Sequence, residues 1–341
     1  MPAPNVQWPV PLIRFPTLWP GQMGVPGTDN DRGERAHCTG EVFYVDPNFT
    51  GVSDLRDGTS PTDPLESVEA ALTKCEPYRG DVIAVMHNGY WTYGDTAADN
   101  YLPVQEAVTV DVPGVRIVGI APSGSLGVPW IPTEDGAACI TVTVLDVLIE
   151  GFCFWEPEGY TNITGITAAW NSATDLWGEN LTIRHCYFYN LEYGIQLDYT
   201  WNSYIEDCRF DGIDTAAIHN PSVYGEPDYT VIRNNVFVGN AADINLPDCS
   251  RLLIEGNRFM DVTAAIVVLA GDDNTIHNNT IQGDPTGTNN YINLTGGGNN
   301  LVSANMLACT IGQYDVTCSD ATSGSWVGNL CTNGTAAAPP V

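Results

Sequence analysis

The sequence has little positive charge. Only 12 lysine and arginine residues stand against 41 aspartate and glutamate residues, which gives a formal net charge of −29. Lys74 is the single lysine. Such a surface repels nucleic acid and anionic membranes, so we expect neither as a partner. The acidic balance instead favours solubility, a cation or a basic partner.

Long apolar runs and metal or nucleotide motifs are also missing. No stretch of about 20 apolar residues occurs, so no transmembrane helix is expected. The N-terminal residues contain neither a basic region nor an apolar run, so we expect no secretory leader. There is no Cys-x-x-Cys or His/Cys cluster, no phosphate-binding loop, no dinucleotide motif and no nucleophile elbow. Cys38 could pair with Cys75, and Cys318 with Cys331, but spacing does not decide either pairing.

What the sequence does contain is a short repeated pattern, Ile-x-x-(Asn/Cys)-x-(Phe/aliphatic). Successive copies are 34, 22, 27, 22, 22 and 26 residues apart. The 22-residue step recurs three times, and the longer steps are interpreted as the same step plus a loop. The copies begin at Ile149, Ile183, Ile205, Ile232, Ile254, Ile276 and Val302.

A second series of isoleucines runs out of phase with the first. Each repeat therefore contains at least two short strands, and each strand opens on an inward Ile. A fixed period of this size indicates a solenoid in which like strands stack in parallel, about 4.8 Å apart. The predicted fold is all-β: a right-handed single-stranded parallel β-helix with an N-terminal extended arm and a short capping helix. The second series contains Ile166, Ile195, Ile218, Ile244, Ile266 and Ile292.

Two columns of polar residues follow from this register. The recurrent Asn is predicted to form a ladder at an inward turn, with Cys186 and Cys208 in the same column as small buried residues. The position after the first Ile alternates in sign, and stacked opposite charges stabilise neighbouring strands. This assigns Arg184 and Arg233 a structural role. The ladder contains Asn235, Asn257, Asn279 and Asn305, and the charge column contains Glu150, Arg184, Glu206, Arg233, Glu255 and His277.

The predicted organisation has four segments. Residues 1–37 form an extended arm rich in Pro and aromatic residues, and residues 38–80 form a strand and a capping helix. Residues 81–310 form the β-helix, and residues 311–341 form a C-terminal cap and tail. The helix is predicted to open at Asp63, an N-cap followed by Pro and, three residues on, by Glu.

The arm is a candidate partner-binding segment. Its composition excludes a helix or a central strand, and a free tail rarely contains so many aromatic residues. We interpret Trp8, Phe15 and Trp19 as residues that dock on another subunit or partner. The alternative is an arm that folds back along its own β-helix.

The opening of the chain resembles a known family. Glu41-Val-Phe-Tyr-Val-Asp-Pro-Asn, then Asp57-Gly-Thr-Ser-Pro-Thr-Asp-Pro-Leu-Glu-Ser-Val-Glu-Ala-Ala-Leu and Gly80-Asp-Val-Ile are similar to the start of pectate-lyase-like β-helix proteins of bacteriophage virions. The resemblance covers about residues 38–310. It implies a virion-surface protein made in the host cytoplasm, a homotrimer, and capsid or tail proteins as partners. The same fold also includes polysaccharide lyases, glycosidases and tailspikes, so the fold does not choose the activity and a host glycan stays a possible partner.

The sequence contains no secure catalytic set. Lyases of this fold resemble one another in using carboxylate-bound calcium with an Arg or Lys base, and that pattern is not met. Hydrolases need carboxylates about 5–10 Å apart. Alternation from the inward Ile places Asp198, His219 and Asp243 outward, where with Asp214 they are the best hydrolytic candidates, although a polar solenoid face has the same composition.

No cofactor is expected. Asp272 with Asp273, or Asp211 with Asp214, could hold Ca²⁺, but such residues are also common in turns. The sequence therefore predicts a virion structural protein, a capsid decoration or surface-spike subunit. The alternative is a glycan-cleaving tailspike or depolymerase on the same fold.

Overall fold

The computed structural model describes most of the repeat region. The described residues are 40–87, 103–122, 125–221, 225–262, 267–269, 271–283, 292–294, 298–307 and 326–331. The predicted arm lies outside them, together with Trp8, Phe15 and Trp19. None of the described helices has the length and apolarity needed to cross a membrane.

The described strands form three parallel sheets of eleven, ten and eight strands, here called sheets 1, 2 and 3. The chain visits sheets 1, 2 and 3 in turn, and like strands of successive coils are hydrogen-bonded neighbours. This arrangement confirms the predicted parallel β-helix. Eleven strands stacked at about 4.8 Å make sheet 1 roughly 48 Å long.

The strands are short, three to five residues in most coils. Sheet 1 contains Val42–Val45, Val82–Met86, Arg116–Ile120, Leu148–Glu150, Thr182–Arg184, Tyr204–Glu206, Val231–Arg233, Leu253–Glu255, Thr275–His277, Leu301–Ser303 and Trp326–Val327. Sheet 2 contains Val104–Gln105, Val128–Ile131, Phe152–Trp155, Tyr187–Tyr189, Arg209–Asp211, Val236–Val238, Arg258–Val262, Thr280–Gly283, Met306–Leu307 and Leu330–Cys331. Sheet 3 contains Val108–Val110, Ala138–Val142, Thr164–Ala168, Tyr193–Leu197, Ala216–His219, Ile244–Leu246, Val267–Leu269 and Ile292–Leu294.

The two isoleucine series become the register of sheets 1 and 3. In sheet 1, Ile183 lies opposite Ile149 and Ile205 on the neighbouring strands. In sheet 3, Ile195 lies between its two counterparts of the second series in the same way. Strand pairing begins at Val42–Val45 and reaches Leu330–Cys331, so it extends beyond residues 81–310 at both ends.

The inward aromatic residues of sheet 2 form a continuous stack in the core. Successive rings lie 5.2, 4.8, 4.9 and 4.7 Å apart between centroids, and the interplanar angles are 20°, 5°, 7° and 9°. Parallel register places identical side chains one strand spacing apart, so these rings overlap face to face. The stack contains Phe154, Phe188, Phe210, Phe237 and Phe259.

The turn between sheets 1 and 2 needs a residue in the left-handed region. That residue has φ of 51° at His185, 54° at Asp207, 56° at Asn234 and 65° at Gly256. Gly, Asn and Asp adopt this conformation at low cost, which explains their recurrence before the ladder position. The left-handed residue turns the chain so that the next side chain points inward.

The long 34-residue step contains two insertions. Eight residues, 156–163, connect sheets 2 and 3 in this coil, against three, 190–192, in the next coil. Thirteen residues, 169–181, connect sheets 3 and 1, against six, 198–203. The differences, 5 and 7, add up to the 12 residues by which this step exceeds 22.

The predicted capping helix is present but begins later than expected. It covers Val68–Leu72 with Ser67 as N-cap, so the start at Asp63 is wrong. Leu65 is held in extended conformation because its N–H donates to Tyr44 O at 2.8 Å, and strand-type bonding overrides the capping signal. The helix buries its apolar face in the core cluster beneath the first strands.

Candidate functional site

The recurrent asparagines at the turn between sheets 1 and 2 form a continuous chain of hydrogen bonds along the stack. Each ladder Asn is buried, and its backbone N–H donates to Oδ1 of the Asn in the next coil at 2.9 Å. Each side-chain Nδ2 also donates to a sheet 1 carbonyl of the preceding coil, at 2.8–3.0 Å. The structure thus brings together Asn235, Asn257, Asn279 and Asn305, and extends the ladder to Asn329.

Cys208 begins this chain, since its backbone N–H donates to Asn235 Oδ1 at 2.9 Å. Cys186 and Cys208 are buried free thiols at the equivalent positions of their coils. These side chains hold successive coils in register and are closed to solvent.

The outer face of sheet 1 carries the charge column. Arg184 Nη2 lies 2.9 Å from Glu150 Oε2, and Arg233 Nη2 lies 2.7 Å from Glu206 Oε2. Burial alone would raise the pKa of Glu150, but the hydrogen bond from His185 and the charge of Arg184 outweigh it, and the pKa is lowered. Both guanidinium groups are therefore held by stacked carboxylates.

Asp243, one of the four hydrolytic candidates, does not lie where the sequence predicts. Its outward placement is wrong: its side chain is 2% exposed, and its equivalent in the preceding coil, Ala217, is also buried in the core. A Cβ at Gly194, one coil earlier, would lie 2.8 Å from the Phe210 ring, so this position faces the interior. Strict alternation fails here because the chain is turning into sheet 3.

The buried carboxyl of Asp243 has one defined partner. Asn240 Nδ2 donates to Asp243 Oδ1 at 2.7 Å. Burial raises the pKa of Asp243 to about 7, and the Asn240 hydrogen bond only partly opposes this. Asp243 is therefore a core residue that is inaccessible to a bound polymer.

His219 lies on the opposite, outer face of the same sheet. It is half-buried, and its ring stacks on Tyr193 at 5.1 Å between centroids. Burial lowers the pKa of His219, opposed by a backbone hydrogen bond with Asn245. The sheet itself separates His219 from Asp243.

Asp198 and Asp214 lie at opposite ends of the sheet 3 strands. Asp198 follows the strand Tyr193–Leu197, whereas Asp214 precedes the strand Ala216–His219 of the next coil. A strand of five residues at about 3.3 Å each separates its two ends by roughly 15 Å, which exceeds the distance between the two carboxylates of a hydrolase. The four candidates are thus not brought together.

Asp214 lies close enough to Glu156 for the two negative charges to interact. Burial raises the pKa of Glu156, a backbone hydrogen bond with Ile163 opposes this, and the negative charges of Asp214, Glu192 and Asp135 raise the pKa further. No group of three or more His, Cys, Asp or Glu residues suited to a metal ion occurs among the described residues. Of the Ca²⁺ candidates, Asp211 forms an ion pair with Arg209, whose Nη2 lies 2.7 Å from Asp211 Oδ2.

The other Ca²⁺ candidates are turn residues. Asp272 accepts a hydrogen bond from the backbone N–H of Gly298, and Asp273 is exposed with φ of 60°. Cys75, considered for pairing with Cys38, is a buried free thiol whose pKa burial raises to about 12. Cys38 and Cys318 lie outside the described residues.

A surface feature that the sequence interpretation missed lies between sheets 3 and 1. The inserted loop 169–181 and the equivalent loop of the next coil bring four aromatic side chains into contact. Trp170 and Trp201 are 45% and 43% exposed, although large aromatic side chains are usually mostly buried. We call this set the aromatic cluster; it consists of Trp170, Trp177, Tyr199 and Trp201. The sequence feature that could have revealed this cluster is the presence of two tryptophans, Trp170 and Trp177, in the longer loop of the 34-residue step.

These features define a parallel β-solenoid protein whose repeated polar residues stabilise the stack. Residues 149–336, more than half of the 341-residue chain, match the family described as periplasmic copper-binding protein (NosD). The chain belongs to this NosD family.

Solved structures with the same architecture are distant in sequence. An alginate lyase from Paenibacillus sp. str. FPU-7 has a TM-score of 0.52 at 14% identity, over 79% of this chain and 93% of the lyase. PfbA, a surface adhesin of Streptococcus pneumoniae, has a TM-score of 0.46 at 16% identity, over 74% of this chain and 68% of the adhesin. Dettilon tailspike protein has a TM-score of 0.33 at 14% identity, over 86% of this chain and 68% of the tailspike. The chain matches none of the curated proteins compared with it. The likeness to the alginate lyase, the one of these three with a TM-score above 0.5, shows the fold alone.

The described residues do not fit a copper site. Copper(I) is held by thiolate or thioether sulfur and copper(II) by imidazole. Cys139, Cys153 and Cys208 are free thiols buried in the solenoid, and this burial raises their pKa and closes them to an ion in solvent. His185 is bound to Glu150, and no His/Cys cluster suited to a metal occurs in the described part of the chain.

Proposed function

We propose that this chain is a non-catalytic structural protein displayed on a bacteriophage virion, as a capsid decoration or surface-spike subunit. The observation that carries this proposal is that the polar residues of the repeat bind one another instead of facing a ligand. The asparagines bind one another in the core, and Arg184 and Arg233 are each held by a stacked carboxylate. Asp243 is buried inside the solenoid while His219 lies on its outer face, and Asp198 and Asp214 lie at opposite ends of the sheet 3 strands.

The virion assignment is supported by the opening segment from Glu41 onward, which resembles phage β-helix proteins. An external location agrees with the word periplasmic in the family description. The β-helix supplies a rigid rod, and the arm of residues 1–37 anchors it to capsid or tail proteins. The rod forms a homotrimer around its long axis.

The test is quantitative mass spectrometry of purified particles. We expect the chain to co-purify with particles at a fixed copy number that is a multiple of three. Deleting residues 1–37 is expected to abolish incorporation while leaving the β-helix folded by circular dichroism. Absence of the chain from particles contradicts the virion role, and incorporation of the truncated chain contradicts anchoring by the arm.

The alternative of a glycan-cleaving enzyme has less support. It requires two carboxylates on one exposed face, whereas Asp243 is buried and Asp214 lies at the opposite end of the sheet 3 strands from Asp198. It predicts release of oligosaccharides from a host polysaccharide, and loss of that release in Asp198→Ala. The copper binding named in the family description predicts a stoichiometric complex in equilibrium dialysis, which the described thiols and imidazoles do not favour.

A further inference from the structure

The aromatic cluster is a preformed surface of the side of the rod. Trp170 and Tyr199 lie 5.8 Å apart between ring centroids, and Trp177 lies 6.4 Å from Tyr199. Trp177 also meets Trp201 edge to face, at 5.1 Å and 79°. The half-buried rings of Trp177 and Tyr199 thus support the two exposed indoles.

The backbone around the cluster is fixed by hydrogen bonds. The loop closes on itself through Asn171 N–H to Leu176 O at 2.9 Å and Asp175 N–H to Asn171 O at 2.8 Å. In the next coil, Tyr199 N–H donates to Gly225 O at 3.3 Å, and a Cβ at Gly225 would lie 2.9 Å from the Tyr199 ring. A fixed surface loses little conformational entropy when a ligand binds.

We propose that the aromatic cluster binds an uncharged glycan without cleaving it. A sugar ring has an apolar face of C–H groups, which packs on an exposed indole, and a rim of hydroxyl groups, which needs hydrogen-bond partners. The cluster offers both surfaces, because Asp175 is exposed beside Trp170 and accepts from its Nε1 at 3.3 Å. A glycan hydroxyl donates to such a carboxylate.

Charge and polarity select this ligand over others. The net charge of −29 and the carboxylate of Asp175 disfavour anionic polysaccharides and nucleic acid. A ligand without hydrogen-bond donors, such as a hydrocarbon chain, would desolvate that carboxylate without compensation, which is unfavourable. The proposal does not depend on virion origin, so the two can fail separately.

The test is calorimetric titration of the full chain with defined hexasaccharides. The neutral probes are β-1,4-glucan, β-1,3-glucan, α-1,4-glucan and β-1,4-mannan, and the anionic probe is oligogalacturonate. We expect saturable binding of at least one neutral probe at millimolar concentration or below, with a change in tryptophan fluorescence and no new chain ends. Trp170→Ala and Trp201→Ala are expected to weaken that binding at least about tenfold.

The matched control is Tyr78→Ala, which removes a 64% exposed aromatic side chain near the N-terminal end of the rod. It is expected to leave binding unchanged, and circular dichroism checks that each variant is folded. The proposal is overturned if no neutral probe binds, if oligogalacturonate binds more tightly, or if Tyr78→Ala weakens binding as much as Trp201→Ala. Stronger competition by a peptide of residues 5–20 than by every glycan would assign the cluster to the Pro-rich arm instead.

Discussion

Asp243→Asn tests whether a carboxyl group sits inside the solenoid. The substitution keeps the shape of the side chain and retains an oxygen that accepts the hydrogen bond from Asn240 Nδ2, now 2.7 Å from Asp243 Oδ1. It removes the ability to ionise. Any effect that depends on pH therefore reports the environment of this one carboxyl group.

The magnitude follows from the pKa of Asp243, which burial raises from 3.8 to about 7. Between these values the folded chain keeps a proton that the unfolded chain has lost. The stability that this retained proton contributes is fully present below pH about 3.8. It is lost as pH rises towards 7, by up to about 1.4 kcal/mol per pH unit. The limit is on the order of 4 kcal/mol, with no further change above the folded pKa.

The assay is urea unfolding followed by circular dichroism, for wild type and variant, from pH 4 to pH 8. We expect the variant to gain stability relative to wild type as pH rises, and the gain to level off above pH about 7. Asp214→Asn, at an exposed carboxylate, is the control and is expected to give a much smaller trend. A difference between Asp243→Asn and wild type that does not change with pH refutes the buried placement.

Three further substitutions test the ladders and the core. Asn257→Leu leaves the buried backbone N–H of Asn235 and the carbonyl of Ile232 without their side-chain partner and is expected to destabilise the fold by on the order of 4 kcal/mol in urea unfolding, whereas the exposed left-handed Asn278→Gly costs little. Phe210→Ala opens a cavity in the aromatic stack and is expected to cost about 3–5 kcal/mol; a loss below about 1 kcal/mol contradicts the stack. Glu150→Gln removes the main cause of the raised pKa of His185, so an NMR titration is expected to give a lower pKa, and an unchanged value contradicts the contact.

The repeat was predictable because one inward Ile per strand fixes both the period and the register. Ile183 and its counterparts are buried in every described coil, so the apolar pattern and the strand pairing carry the same information. The Asn and charge columns follow once the register is known. Local turn chemistry supports them, since a left-handed Gly, Asn or Asp precedes the ladder position in most coils.

Placement at corners and in insertions was not predictable from the pattern. Asp243 was assigned outward because alternation was extended past the end of a strand, where the turn rotates the side chain into the core. The helix begins after Ser67 rather than after the predicted Asp63, because Leu65 makes strand-type hydrogen bonds instead of helical ones. The aromatic cluster joins Trp177 and Trp201, whose loops have different lengths, so no fixed spacing links them.

The proposal that the polar residues of the repeat hold the fold together and take no part in cleaving a polymer can be tested directly. The most direct measurement is the number of new reducing or unsaturated chain ends after the purified full chain is incubated with polysaccharides of the host surface. We predict no increase over a heat-denatured sample. Steady release of chain ends that disappears in Asp198→Ala, with the fold intact, would contradict the account.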